Sequence, residues 1–396
     1  MDSLAEQYVR LTLAVGQHDA DYVDAYYGPD EWKPGEKKSS LDELGGRVTE
    51  LQSQLAKVPA ASDEMVELRR QYLTKQVAAM AARIRMLKGE RMSFDEEARA
   101  LYDVEVPKLP ESHFEEVLNQ LEKRFPGKGA LVDRYEAYRL GFVIPKERLD
   151  SVFTTAIEAC RERTARHLSL PANESFTVEY VTGKSWSGYN WYQGGSRSLI
   201  QVNTDLPIYI DRAVDLACHE GYPGHHVYNA LLEKNLVRDR GWTEFTVYPL
   251  FSPQSLIAEG TANYGIEMAF PGEERLQYEQ QVLFPAAGLD PAKALEYYEV
   301  QALVEKLAYA GNEAARRYIN KEIDASQAAA ALEKYALMPR ARAEQRVRFF
   351  DQYRSYLINY HLGKDMVRSY IEKRGGNRWA EFGKLLSSPR LPSGLQ

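Results

Sequence analysis

At 396 residues, 44% hydrophobic and 27% charged, the chain has material for one large domain or two medium ones with an ample core. Its formal net charge of −7 argues against a nucleic-acid binder, which needs a basic face. Only two cysteines, Cys160 and Cys218, lie far apart in sequence, Met1–Glu6 has neither a basic start nor an apolar run, and no window approaches the roughly 18 apolar residues of a membrane span, so a disulfide framework and a membrane location are not expected and a cytoplasmic one is.

Most of the chain reads as helix. In residues 63–88, Leu73, Val77, Met80, Ile84 and Leu87 recur at steps of four and three, and Gly89 follows as a stop. Segments 111–125 and 146–168 look similar, and the basic run Arg161, Arg163 and Arg166 in the second reads as a solvated face. Residues 176–181 and 198–203 alternate and are β-prone, with the Gly-, Trp- and Tyr-rich stretch 183–195 between them, which predicts a small antiparallel sheet. A turn and helix start follow at Asn203–Pro207, and helical spacing returns over 291–319, 326–337 and 340–360. The expectation is a mainly α fold with a small antiparallel sheet beside a metal-binding helix. It would form a single domain over 1–396, divided into a helical N-terminal subregion, 1–145, and a catalytic subregion, 146–396.

The most informative stretch is His219-Glu220-Gly221-Tyr222-Pro223-Gly224-His225-His226, which holds three of the seven histidines. A His-Glu pair on a helix with a further His is how zinc hydrolases bring a metal and a general base together. His219 and His225 are six residues apart, however, which on a regular helix is about 120° off the shared face with a rise of about 9 Å. One zinc ion cannot bridge that gap at Zn–N distances of about 2.0–2.1 Å. Pro223 and Gly224 supply the remedy, since proline clashes with the carbonyl four residues back and glycine tolerates unusual backbone angles. The resulting kink or bulge can bring His225 or His226 beside His219, and His225 is favoured because the shorter gap needs less distortion. Cys218 is a neighbour about 100° away around the helix and reads as a packed thiol. A third ligand must come from elsewhere. Glu259, among Leu256, Ile257 and Ala258, is an acidic group in apolar company that needs a cation if buried, with Asn263 one turn on and Glu267 a second candidate. Glu220 is then the general base that takes a proton from a metal-activated water.

The octet resembles the His-Glu-x-x-Pro-Gly-His-His signature of the bacterial family called domain of unknown function 885, a group of zincin-like peptidases whose fold is similar to the Thermus-type zinc carboxypeptidases. Ser93–Ala98, Glu259-Gly260 with Ala262 and Tyr264, and Tyr360-His361-Leu362-Gly363 resemble further elements of that family. Thr261 stands where the family has Trp, and Arg354-Ser355-Tyr356 where members often have Pro-Gly-Gln. The resemblance implies zinc ligands at His219, His225 and Glu259, Glu220 as base, and Tyr360 as an oxyanion-stabilising donor. The dipeptidyl peptidase three family is similar in stretching the space between its two ligand histidines.

Together with that resemblance, these residues imply a Zn2+-dependent peptidase, and the related fold implies an exopeptidase acting on short peptides. Carboxyl-terminal cleavage would call for an arginine, drawn from Arg197, Arg340, Arg342, Arg346, Arg348 and Arg354. Amino-terminal cleavage would call for an acid such as Glu179 or Glu267. A strand preceding the metal helix could pair with an extended substrate. The alternatives are a metal-dependent amidohydrolase or esterase on a small non-peptide compound, with Trp186, Tyr189, Trp191 and Tyr192 walling its pocket, or a zinc-stabilised binding protein without turnover.

Overall fold

The computed structural model describes residues 1–184 and 186–395. Residue 185, in the Gly-, Trp- and Tyr-rich stretch, and residue 396 lie outside the described residues. The first third comprises α1 (Asp2–Gly16), β1 (Val23–Tyr26), α2 (Leu41–Leu55), α3 (Glu64–Leu87), α4 (Phe94–Tyr102), α5 (Glu111–Arg124) and α6 (Leu131–Arg139). The middle comprises α7 (Leu149–Ala165), β2 (Ser175–Val181), β3 (Gly188–Gly194), β4 (Arg197–Asn203), α8 (Asp211–Leu216), a π-helical turn (Ala217–Gly221), α9 (His225–Leu232), β5 (Val247–Pro249) and α10 (Pro253–Ala269). The remainder is α11 (Glu274–Tyr278), α12 (Phe284–Ala287), α13 (Ala294–Glu305), α14 (Ala310–Ile319), α15 (Ala325–Tyr335), α16 (Arg340–Tyr353), α17 (Ile358–Arg374) and α18 (Arg378–Leu386). The fold is mainly α with a small sheet, as the spacing predicts.

Helix ends follow local chemistry. The Asp63 carboxylate accepts the Val66 N–H at 2.9 Å to start α3, and Gly89, at φ +97°, follows its end. Two expected helices are each split. Residues 291–319 break between α13 and α14, where i→i−3 hydrogen bonds carry residues 306–308 and seat Leu307 in a small apolar cluster with Phe114, Val117 and Leu121 of α5. Residues 340–360 break at Arg354, whose φ is +51°. That break is held from a distance. Buried Glu97 of α4 accepts Arg354 Nε at 2.6 Å, Ser355 N–H at 3.1 Å and Ser355 Oγ at 2.6 Å. No glycine or proline marks either split, so neither is visible in the helical periodicity.

The sheet has the order β2-β4-β3 and is mixed rather than wholly antiparallel. β3 runs antiparallel to β4, with Asn190 opposite Ile200, while β2 runs parallel to β4, with Val178 opposite Ile200. The aromatic stretch expected to be a connection contains β3 itself, so the two strands read from the sequence meet as parallel neighbours. β1 pairs antiparallel with β5, bringing Asp24 and Tyr248 into adjoining positions.

The main apolar cluster runs from Ala5 to Leu395. At its centre α10 lies along α17 with glycine against glycine. A Cβ on Gly260 would fall 2.5 Å from the Gly363 carbonyl, and one on Gly363 would fall 2.8 Å from the Leu256 oxygen. Backbone therefore meets backbone, at a separation any side chain would increase.

Candidate metal centre

The helix carrying the histidines is interrupted, not merely bent. The Tyr222 N–H bonds the Ala217 carbonyl at 3.1 Å and the Gly224 N–H bonds the Cys218 carbonyl at 2.9 Å, five and six residues back. Tyr222–Pro223 is a cis peptide bond, and α9 begins afresh at His225. Gly224 is required by space, since its φ of −76° lies outside the left-handed region, whereas a Cβ there would fall 1.9 Å from the His219 oxygen. Pro223 in turn packs where Gly265 of α10 has no side chain. The Asn190 amide of β3 donates to the Glu220 carbonyl at 2.7 Å and pins the turn to the sheet.

The interruption faces the two imidazoles toward each other. His219 Nε2 and His225 Nε2 are 3.1 Å apart, with the rings nearly perpendicular. Glu259, from α10, brings Oε2 to 3.2 Å from His219 Nε2 and 3.6 Å from His225 Nε2. A tetrahedral cation with ligands at about 2.0–2.1 Å holds its donor atoms about 3.3–3.4 Å apart, so the three atoms already lie near three corners of such a site. Glu259 Oε2 is buried, and the two imidazole nitrogens are its only polar neighbours among the described residues, with no other group donating to it. Its other oxygen accepts from Tyr356 Oη at 2.7 Å, which fixes the carboxylate's orientation. The residues fit a divalent ion by donor type, spacing and this orphaned acceptor.

His226 is not available as a ligand. Its Nε2 is 3.0 Å from the buried Glu174 carboxylate and its Nδ1 is 2.9 Å from Ser198 Oγ. Cys218 faces away and packs against Cys160, with Sγ atoms 2.6 Å apart, so the cysteines distant in sequence are neighbours in space. Both are free, and burial pushes the Cys218 thiol well up, keeping it protonated. Glu267 does not reach the centre, because it pairs with Lys364 at 3.1 Å and with Arg368. Asn263 donates to the backbone carbonyls of Glu259 and Tyr360, tying α10 to α17.

The electrostatics ask for positive charge. Burial would raise the Glu259 carboxyl, but the His225 and His219 imidazoles overcome it and hold the carboxyl well below the usual range. Burial would lower His225, yet Glu259, Glu220 and Asp24 push it up to about 9. Asp24 itself is driven up to about 7 by burial, with His225 opposing and Glu259 and Glu220 adding to the rise. Three carboxylates around two imidazoles leave the pocket deficient in cation. Asp24 is the participant that sequence reasoning missed. It stands about two hundred residues before the motif, in a tyrosine-rich segment, and reaches the site only through the pairing of β1 with β5.

All of these residues line one cavity of about 970 Å3, within the usual range for ligand sites. Glu220 is buried beside Gly188, where a Cβ would fall 2.9 Å from its Oε1. Tyr360 lines the same cavity, burial and then Glu259 raise its phenol well above the ordinary value, and among the described residues its hydroxyl has no hydrogen-bond partner. It is thus a protonated donor free to act, whereas Tyr356 is committed to Glu259 and Tyr248 to Ser255 Oγ at 3.1 Å. Of the four aromatics expected to wall a pocket, Trp186 and Tyr189 line it, Trp191 faces outward, and Tyr192 donates to Glu233. The strand preceding the metal helix, β4, is central and cannot pair with a substrate. The edge at the cavity is β3, through Gly188 and Asn190. Glu179 is exposed and outside the cavity, and the basic run on α7 is paired, Arg161 with Glu174, Arg163 with Glu274 and Arg166 with Glu162.

No helix among the described residues is long and apolar enough to cross a membrane. No family model and no curated protein matches this chain. Among solved structures, it is similar to a putative lipoprotein from Colwellia psychrerythraea at a TM-score of 0.52 and 17% identity, over 92% of this chain and 69% of that one. It is also similar to a putative lipoprotein of unknown function from Shewanella oneidensis (TM-score 0.46, 15% identity, 90% and 71% covered). A third is the protein named BsuCP (TM-score 0.47, 12% identity, 97% and 88% covered). Of these, the Colwellia likeness alone exceeds a TM-score of 0.5, and at 17% identity it speaks for a shared fold.

Proposed function

We propose that this protein is a zinc-dependent peptidase acting on short peptides, with His219, His225 and Glu259 as ligands and Glu220 as general base. The observation that carries this reading is the spacing of His219 Nε2, His225 Nε2 and Glu259 Oε2, at 3.1–3.6 Å around one point, with the third atom otherwise unbonded. A bound divalent ion would supply Lewis acidity, lowering the pKa of a water to about 7. Glu220, buried on the sheet side of the same turn, takes the proton and returns it to the leaving amine. Tyr360 donates to the developing oxyanion, and its raised pKa keeps that proton in place. The resemblance of the octet to the domain of unknown function 885 family points the same way, as does a cavity with room for a peptide along the β3 edge. We assign the protein to the cytoplasm, the location expected for a chain with two cysteines and no disulfide framework.

Trp186 and Tyr189 on the cavity wall favour one second reading, hydrolysis of a small acylated aromatic compound. Protein purified without added metal should carry about one zinc per chain, and the His219→Ala variant should carry almost none. Assay of the wild type on dipeptides and on acylated aromatic amines then separates the two substrates. Wild-type protein that retains no divalent metal after loading with excess zinc would rule out both.

A further inference from the structure

α16 lends the cavity two cations one helical turn apart, Arg342 and Arg346. Most other cations on its wall are matched by carboxylates. Arg275 pairs with Asp215 at 2.9 Å and Glu279 at 2.8 Å, Arg212 with Asp215 at 3.2 Å, Arg139 with Glu136 at 3.9 Å, and Lys364 with Glu267 at 3.1 Å. Arg378 donates to Tyr264 Oη at 2.7 Å. Among the described residues, Arg342 and Arg346 have no carboxylate within ion-pair reach, and the charged groups acting on Arg342 most strongly are Arg139, Arg212 and Arg346. Arg346 lies over the Phe349 ring at 4.5 Å, and its Nε is buried without a hydrogen-bond partner. Arg342 is exposed to the cavity's solvent, and Arg346 beside it is half-buried. The protein crowding the cavity and those neighbouring cations bring the Arg342 guanidinium down to about 10.

Like charges one turn apart on a helix repel, and an unmatched guanidinium inside a cavity costs stability. Neither arrangement serves the fold. Both are relieved by an anion, and a planar carboxylate matches the guanidinium fork. The cavity already has an acidic end, where Glu220, Glu259 and Asp24 converge. We infer that Arg342 and Arg346 form an anion subsite that grips a carboxylate of the substrate while its scissile amide lies at the histidine end. What is cut rests on the peptidase reading above. That a carboxylate binds here does not. The carboxylate belongs either to the peptide's C-terminus or to an acidic side chain.

The test uses zinc-loaded protein with N-benzoyl-glycyl-glutamate, its glutamine counterpart, its α-amide, and the neutral peptide that carries both changes. Wild type should turn over the neutral peptide at least about tenfold less efficiently than the first, mostly through KM. The source is the terminus if the α-amide suffers the loss, and the side chain if the glutamine peptide does. Arg346→Met should abolish the preference, leave the neutral peptide unchanged, and melt no lower than wild type. Should that variant misfold, Arg342→Met, which is more open to solvent, repeats the test. Equal efficiency on charged and neutral peptides in the wild type, or an equal loss on all four in the variants, would overturn the subsite. Calorimetric titration of N-acetylglutamate and its diamide into Glu220→Gln protein decides binding without turnover. Carboxylate-selective binding that Arg346→Met removes, with no peptide hydrolysed by the wild type, would sink the peptidase reading and keep the subsite. Equal binding of acid and diamide, with peptides hydrolysed by the wild type, would do the reverse.

Discussion

Replacing Gly224 with alanine is expected to cost about 4 kcal/mol or more, at the exceptional end for one methyl group, and to abolish zinc retention. The added carbon would lie 1.9 Å from the His219 oxygen and 2.4 Å from the Cys218 oxygen. Both obstacles are backbone, and both belong to the turn that aims the first imidazole. The chain can make room only by moving His219 away from His225. Gly221→Ala is the matched control. Three residues earlier, its Cβ would meet the Phe176 ring at 3.1 Å, a side chain that can swing aside. Thermal melting and zinc content, measured on both variants, check the claim. A Gly224→Ala protein as stable and as metal-rich as Gly221→Ala would show that the interruption is not held by this contact.

Glu220→Gln carries the second large effect, on turnover alone. Glutamine keeps the shape that packs beside Gly188 but cannot accept a proton, and the loss of a positioned base is worth about 10²–10⁴-fold in kcat. The fold and the zinc should be untouched, because Glu220 supplies none of the three clustered donor atoms. Stopped assays on the best dipeptide, with metal analysis of the same sample, separate the outcomes. Undiminished kcat at full zinc occupancy would remove Glu220 from the chemistry, and a zinc-loaded wild type without turnover would favour the non-catalytic binding protein.

How far the sequence could be read depended on how local each determinant is. The α3 helix announces itself through apolar steps of three and four, an Asp cap and a terminal glycine, all within one segment. The octet is just as local. The misfit of six residues to helical geometry, with Pro-Gly between, was enough to foresee that the helix must yield and to favour His225 over His226. The form of the yielding was not foreseeable, since a π turn followed by a fresh helix depends on Asn190 from β3 and on the space at Gly265. Asp24 was missed because nothing near it in sequence signals a pocket, and its position follows from a strand pairing across more than two hundred residues. The Arg354 break was missed for the same reason, its cause being a carboxylate on α4. Strand periodicity located β2 and β4 but is silent on direction, which is set by the strand that inserts between them in sequence. Among the arginines, charge alone could not single out Arg346, because the lack of a partner is visible only in three dimensions.

The glycine-on-glycine seam between α10 and α17 also bears on when the ordering of this centre is paid for. With no side chain between the two backbones, neither helix can slide without collision, so Glu259 and Tyr360 keep a fixed mutual position from the moment the core closes. The entropy of arranging the carboxylate is spent during folding and not when an ion arrives. Small zinc modules collapse when stripped of metal because their ligands have no other scaffold. This protein should instead release its ion to a chelator, stay folded, and take the ion back without a refolding delay.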